Sequence, residues 1–285
     1  MTYSEWFQTY LQLYKRNLAP KTRESYDRLQ GLLAPILGAA DLAALTPEDL
    51  QMALNHVEDV AGSRQAQLAY ALIHAALSRA VKSRRLQFNP CDAIDKPQHR
   101  AAQGRAIKGR DWQLLQPALD GDAAFALMAY AGLRRGEALG LRRGDVDLQA
   151  GVIHVRRQIV RVDGKLLTSE PKSASGVRDV PIVPELAPIL QAACRLLHPR
   201  ARLVSCSPET LARRWRRAQE DAGVTQPYRL HDLRHTCATR LIGAGCSVNV
   251  VQYVLGHSSY QLTADTYTHL DGADAALAIA SLMRR

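Results

Sequence analysis

At 285 residues with 47% hydrophobic side chains, the chain is long enough for two ordinary domains with real cores, which sets aside a disordered or low-complexity polypeptide. Its formal net charge is +10, and the excess is uneven: the first hundred residues hold 12 basic and 10 acidic side chains, leaving 25 and 17 for the rest. A polyanionic partner fits that balance. No stretch approaches the ~20 apolar residues of a membrane span, and the start MTYSEWFQTY lacks the basic and apolar regions of a secretory signal. Five cysteines without a C-x-x-C pair read as reduced structural thiols of a cytosolic protein rather than a zinc site.

Residues 1–90 are predicted as a helical domain. In 46-TPEDLQMALNHV-57, Thr46 is a candidate N-cap, Pro47 takes the first helical position and Asp49 completes a capping box. Ser63 is placed to cap a longer helix through AQLAYALIHAALSRAVKSRRL, whose apolar positions recur at helical spacing. Lys82, Arg84 and Arg85 at its end complement the helix dipole and equally offer a basic tip to phosphate. Residues 91–110 read as an interdomain linker: FNPCDAIDKPQHRAAQGRAIKGR has two prolines, two glycines and five basic residues without periodicity.

A second domain is expected over 111–285. Helices run through AAFALMAYAGL into RRGEALGL. Then 152-VIHVRRQIVRV-162 is a β-rich run that turns at Asp163-Gly164, a hairpin signal. KLLTSEPKSASGVRDVPIV follows as one long strand or two short ones. Helices resume at Ser207-Pro208, and the tail 271–285 is expected as a short helix with Leu277, Ile279, Leu282 and Met283 on its apolar side. The class is mainly α with a small antiparallel β-sheet.

His231, Arg234, His257 and Tyr267 fall within 37 residues, and Arg134 lies far upstream in AGLRRGEALGL. A guanidinium fork holds two phosphate oxygens and stays charged at any working pH. Histidine moves protons near neutrality. A tyrosine nucleophile keeps the energy of the broken bond in a phosphotyrosyl link, so a strand is resealed without ATP. His231 and Arg234, three apart, share one side of a helix, and Glu137 lies three after Arg134 on its face, where it buttresses that arginine. His235 pairs with His231 at i, i+4, but HDLRH lacks the glutamate of a metalloprotease helix, so it reads as a supporting or core histidine and no metal is assigned. Gly256 is placed to end the helix SVNVVQYVL; taken alone, His257 serves equally as a partner for that helix dipole.

The segments 132-GLRRGEALGL-141, 231-HDLRH-235, 255-LGHSS-259 and 265-DTYTHL-270 resemble, in order and spacing, the signature boxes of the tyrosine recombinase (phage integrase) family. The resemblance implies a helical core-binding domain joined to a catalytic domain, closing on double-stranded DNA as a clamp. It implies that Arg134, the arginine directly after Gly-Leu, binds the scissile phosphate, that His257 hydrogen-bonds it, and that Tyr267 rather than Tyr260 is the nucleophile. It further implies a hairpin lysine as general acid, Lys172 with Lys165 as rival. No cofactor is expected. A monomer in solution would assemble as a homotetramer on two recombination sites, pass through a Holliday junction, and work with accessory DNA-bending proteins. The tail would dock on its own domain or on a neighbouring protomer. Type IB topoisomerase activity and non-catalytic DNA binding are the alternatives.

Overall fold

The computed structural model describes residues 1–100, 103–171 and 173–256. The chain forms two compact units, Met1–Ala102 with Val162–Gly164, and Gln103–Arg161 with the chain from Lys165 onward. It is mainly helical with small antiparallel sheets.

The first unit packs α1 (Tyr3–Tyr14), α2 (Pro20–Leu37), α3 (Pro47–Ala61) and α4 (Ser63–Lys82) around Trp6, Phe7, Leu33, Leu54, Ile73 and Leu77. The Thr46–Asp49 capping box forms: the Asp49 amide donates to Thr46 Oγ1 at 3.2 Å, and the Thr46 amide donates to Asp49 Oδ2 at 3.0 Å. Ser63 does not cap. Gly62, at φ +84°, turns the chain between α3 and α4, and Ser63 is the first helical residue. Its hydroxyl instead meets His99 Nδ1 at 3.0 Å. Of the basic residues ending α4, Arg85 lies over the Trp6 ring, as Arg79 lies over Tyr14.

Most of the segment read as a linker is fastened. Asn89 caps a 3-10 turn over Pro90–Ala93 by accepting from the Cys91 amide, and its side-chain amide donates to His74 O and Ser78 Oγ of α4. Cys91 is thereby buried in the first core. At the other end, Arg105 donates to the carbonyls of Gln226 and Pro227, and the Ile107 amide donates to Thr236 Oγ1 at 2.9 Å. Single anchoring side chains leave no periodicity in the sequence.

The second unit is built on α6 (Ala123–Tyr130), whose AAFALMAY is apolar on every side because the helix is central. Around it lie α5 (Gly109–Gly121), α8 (Ala187–Cys194) and α10 (Asp232–Gly243). α9 (Pro208–Asp221), capped by Ser207, brings Trp215 edge-on to Phe125. α8 falls within PELAPILQAAC, where two prolines obscure the helical pattern; Pro188 is tolerated because it occupies the first turn.

β1 (Val146–Asp147), β2 (Val152–Val155) and β5 (Arg178–Pro181) form one antiparallel sheet, with Ile153 opposite both Val146 and Val180. β3 (Gln158–Val162) and β4 (Lys165–Ser169) form a separate hairpin, turned by Asp163 and Gly164, both at positive φ. The run 152–162 is therefore two strands rather than one. It breaks at Arg156-Arg157, whose side chains pair with Asp179 and Asp145. The stretch after the Asp163-Gly164 turn is two short strands, β4 and β5, separated by a 3-10 turn over Ala174–Gly176.

Candidate active site

Arg134 sits at the joint between α6 and α7 (Arg135–Gly140). Gly132, at φ +63°, makes that joint; a Cβ there would lie 2.7 Å from Leu255 Cδ2, so the backbone lies against the side chain of Leu255, far along the chain. Arg134 is the N-cap residue of α7. Its amide donates to Glu137 Oε2 at 2.9 Å, and its guanidinium donates to Glu137 Oε1 at 2.8 Å and to the Gly256 carbonyl at 2.7 Å. The Arg134 side chain is 35% exposed and Glu137 1%, so the carboxylate braces the inner side of a guanidinium that keeps an open edge.

The first turn of α10 supplies the next groups. Asp232 is buried and accepts from the Arg229 amide and guanidinium. Arg234 is also buried, and its two terminal nitrogens donate to the carbonyls of Gly132 and Leu255. Burial, then the neighbouring charge of Arg134, pulls its pKa down to about 9, which leaves it charged at neutral pH. His231 is the N-cap residue and lies at the surface. Desolvation, then the charge of Arg234, holds its pKa below the ordinary histidine value, which favours the neutral ring. His235 lies one turn on, its ring beside Gly104, where a Cβ would come within 3.2 Å of Cγ.

One functional-looking residue was missed by sequence reasoning. Arg178 opens β5 with its side chain 2% exposed, and donates to Glu137 Oε2 at 3.0 Å and to Oε1 at 3.3 Å. Its signal lay in the alternation of VRDVPI, which puts Arg178 on the same inward face as Val180. Burial pushes the Glu137 carboxyl up, but the charge and hydrogen bonds of Arg178, with those of Arg134, outweigh it and hold the group below the usual carboxylate range.

These groups converge on the end of α11 (Val248–Leu255). Gly256 ends that helix in the left-handed conformation, φ 63° and ψ 48°. A Cβ at Gly256 would lie 2.7 Å from Ser175 O and 2.9 Å from Arg178 Nη1. Three consecutive carbonyls, of Val254, Leu255 and Gly256, accept from Arg178, Arg234 and Arg134. The structure thus brings together Arg134, Glu137 and Arg234, a constellation able to bind a tetrahedral anion. His257, Tyr260, Tyr267, Lys172 and the tail 271–285 lie outside the described residues. Lys165 is exposed at the start of β4, beside the hairpin turn. Among the described residues no His, Cys, Asp and Glu side chains group as metal ligands would, and no helix is long and apolar enough to cross a membrane.

The model of the phage integrase family matches residues 118–273, and that of the phage integrase N-terminal SAM-like domain matches residues 2–57. The prophage phiRv2 integrase of Mycobacterium tuberculosis is 29% identical over 262 residues, spanning 87% of this chain and 69% of that protein. Tyrosine recombinase XerD of Lacticaseibacillus casei is 27% identical over 281 residues, 90% of each. In fold, the Tn1549 transposon integrase in complex with a circular intermediate DNA superposes with a TM-score of 0.82 at 21% identity, over 99% of each chain. A lambda integrase tetramer bound to a Holliday junction gives 0.70 at 19% identity, over 95% of this chain and 80% of that one. The chain belongs to the phage integrase family, and so to the tyrosine-type site-specific recombinases.

Proposed function

We propose that this chain cuts one DNA strand at a time at a defined recombination site. The Tyr267 phenol oxygen attacks the scissile phosphorus, a 3′-phosphotyrosyl bond forms, and the 5′-oxygen leaves with a proton from Lys172, or from its rival Lys165. Arg134 and Arg234 hold the non-bridging oxygens and offset the charge that builds at pentacoordinate phosphorus. His231 manages the phenol proton, His257 hydrogen-bonds the phosphate, Glu137 buttresses Arg134 and His235 supports the helix that carries His231. Because the bond energy stays in the covalent link, no nucleotide or metal is consumed.

One observation carries this reading. Arg134 and Arg234, a hundred residues apart in sequence, donate to the carbonyls of Gly256 and Leu255, the two residues before His257. The charged groups of two signature boxes therefore meet where the third begins.

In this reading residues 1–90 bind the core of the site, residues 111–285 carry the chemistry, and the pair closes on a duplex. Exchange passes through a Holliday junction held by a homotetramer, the state in which lambda integrase was captured. Monomers assemble on two sites, with DNA-bending proteins as helpers and each tail docked in cis or in trans. The resemblance to a prophage integrase favours integration or excision of a mobile element in the bacterial cytoplasm. A supercoiled plasmid carrying two copies of the element's attachment site is the test. Deletion or inversion between the copies is expected. Relaxation without exchange would mean nicking-closing activity, and binding without either would mean a non-catalytic relative.

A further inference from the structure

The geometry points to Arg178 as a positioning residue for cleavage: one buried guanidinium that ties the carboxylate behind Arg134 to the end of α11. This inference rests on the reading of Arg134 as a phosphate ligand. Arg178 does not reach the reacting atoms itself. Its side chain is 2% exposed and four of its five N–H donors are engaged: Nε to Val254 O at 2.7 Å, Nη1 to Gly176 O at 3.1 Å and Glu137 Oε1 at 3.3 Å, and Nη2 to Glu137 Oε2 at 3.0 Å.

Those partners belong to three segments that the chemistry needs in register. Glu137 braces Arg134 through a second bond at the same Oε1. Val254 lies in the last turn of α11, whose next two carbonyls anchor Arg234 and Arg134 and whose chain continues to His257. Gly176 lies in the 3-10 turn four residues past Lys172. A single side chain thus sets where the phosphate-binding arginine stands relative to the start of the segment that carries the nucleophile.

Charge sharpens the point. Glu137 is shared by Arg134 and Arg178. Without Arg178, the buried carboxylate would lean on Arg134 alone and compete with phosphate for its donors. A lysine cannot replace Arg178, because one ammonium cannot bond a carboxylate edge-on while holding two carbonyls in other directions.

The test uses the full chain and a suicide duplex of the attachment site, nicked so that the covalent adduct accumulates. Adduct rate at saturating DNA, DNA affinity and melting temperature are measured for Arg178→Lys, Arg178→Met, Glu137→Gln and the Arg178→Met/Glu137→Gln double variant. We expect both Arg178 variants to form adduct about 100-fold more slowly while Kd stays within about 3-fold, as for an interaction made only in the transition state. The double variant should be no slower than Arg178→Met, because both changes act through one carboxylate. Should Arg178→Met not fold, the lysine variant and the charge-balanced double variant carry the test. Adduct rates near wild type in a folded Arg178→Lys, a fall in affinity that tracks the rate, or additive losses would each overturn the assignment. A Tyr267→Phe control that still forms adduct would take down the underlying reading of the site, whatever Arg178 does.

Discussion

At the scale of single residues, the proposed site is an arrangement of arginines whose forks are expected to matter more than their charges. Arg134→Lys and Arg234→Lys each retain a positive charge but lose the planar pair of donors. Each should slow strand cleavage on the order of 100-fold or more, as loss of a preorganised oxyanion donor does. Single-turnover cleavage on saturating DNA checks this, and a variant within a few-fold of wild type would make that arginine peripheral. The two depressed acid–base groups also set a pH dependence. The His231 pKa is lower folded than unfolded, so its neutral form stabilises the protein fully above the ordinary histidine range, and this is lost as pH falls through the folded value. Glu137 acts likewise in the lower carboxylate range. Melting temperature should therefore drop as pH falls from about 7 to about 5, and His231→Gln should flatten that part of the curve, the part an unperturbed histidine would not bend.

At the scale of elements, what is legible in the sequence is what short-range chemistry decides. The Thr46–Asp49 box and the Ser207 cap satisfy orphan helix amides with side chains three residues away, and the Asp163-Gly164 turn needs only residues that tolerate positive φ. Ser63 has the chemistry of a cap, yet Gly62 makes the turn and the hydroxyl goes to His99, 36 residues distant. The same limit hid the linker anchors at Asn89 and Arg105. Arg178 escaped notice because its partner, Glu137, lies 41 residues away, and only the inward face of β5 hinted at it. Arg134, Glu137 and Arg234 were readable because each sits in a local box. The joint at Gly256 gives this scale its prediction. Gly256→Ala must place a Cβ in the left-handed region, at a cost of about 1–2 kcal/mol, and against Ser175 O and Arg178 besides. Denaturant unfolding should show at least that loss. A neutral substitution would mean the end of α11 is not gripped as described.

At the scale of the whole molecule, the surplus of basic side chains lies mainly in the part that carries the signature boxes, 25 against 17 acidic from residue 101 on. Closure of this protein, of net charge +10, on a duplex as proposed would displace condensed cations from several phosphates. Its DNA affinity should fall steeply, by on the order of 10²-fold or more, between about 50 and 200 mM salt. A flat response in a filter-binding or fluorescence titration would argue against closure around the duplex.

The central claim is that Tyr267 attacks phosphorus in a pocket formed by Arg134 and Arg234, and peptide mapping of the covalent protein–DNA complex tests it most directly. A suicide duplex labelled on the 3′ side of the cut should leave its nucleotide on the tryptic peptide that contains Tyr267, joined through a 3′-phosphate, and Tyr267→Phe should abolish the complex while DNA binding persists. A nucleotide found on Tyr260, or a complex that survives in Tyr267→Phe, would contradict the account.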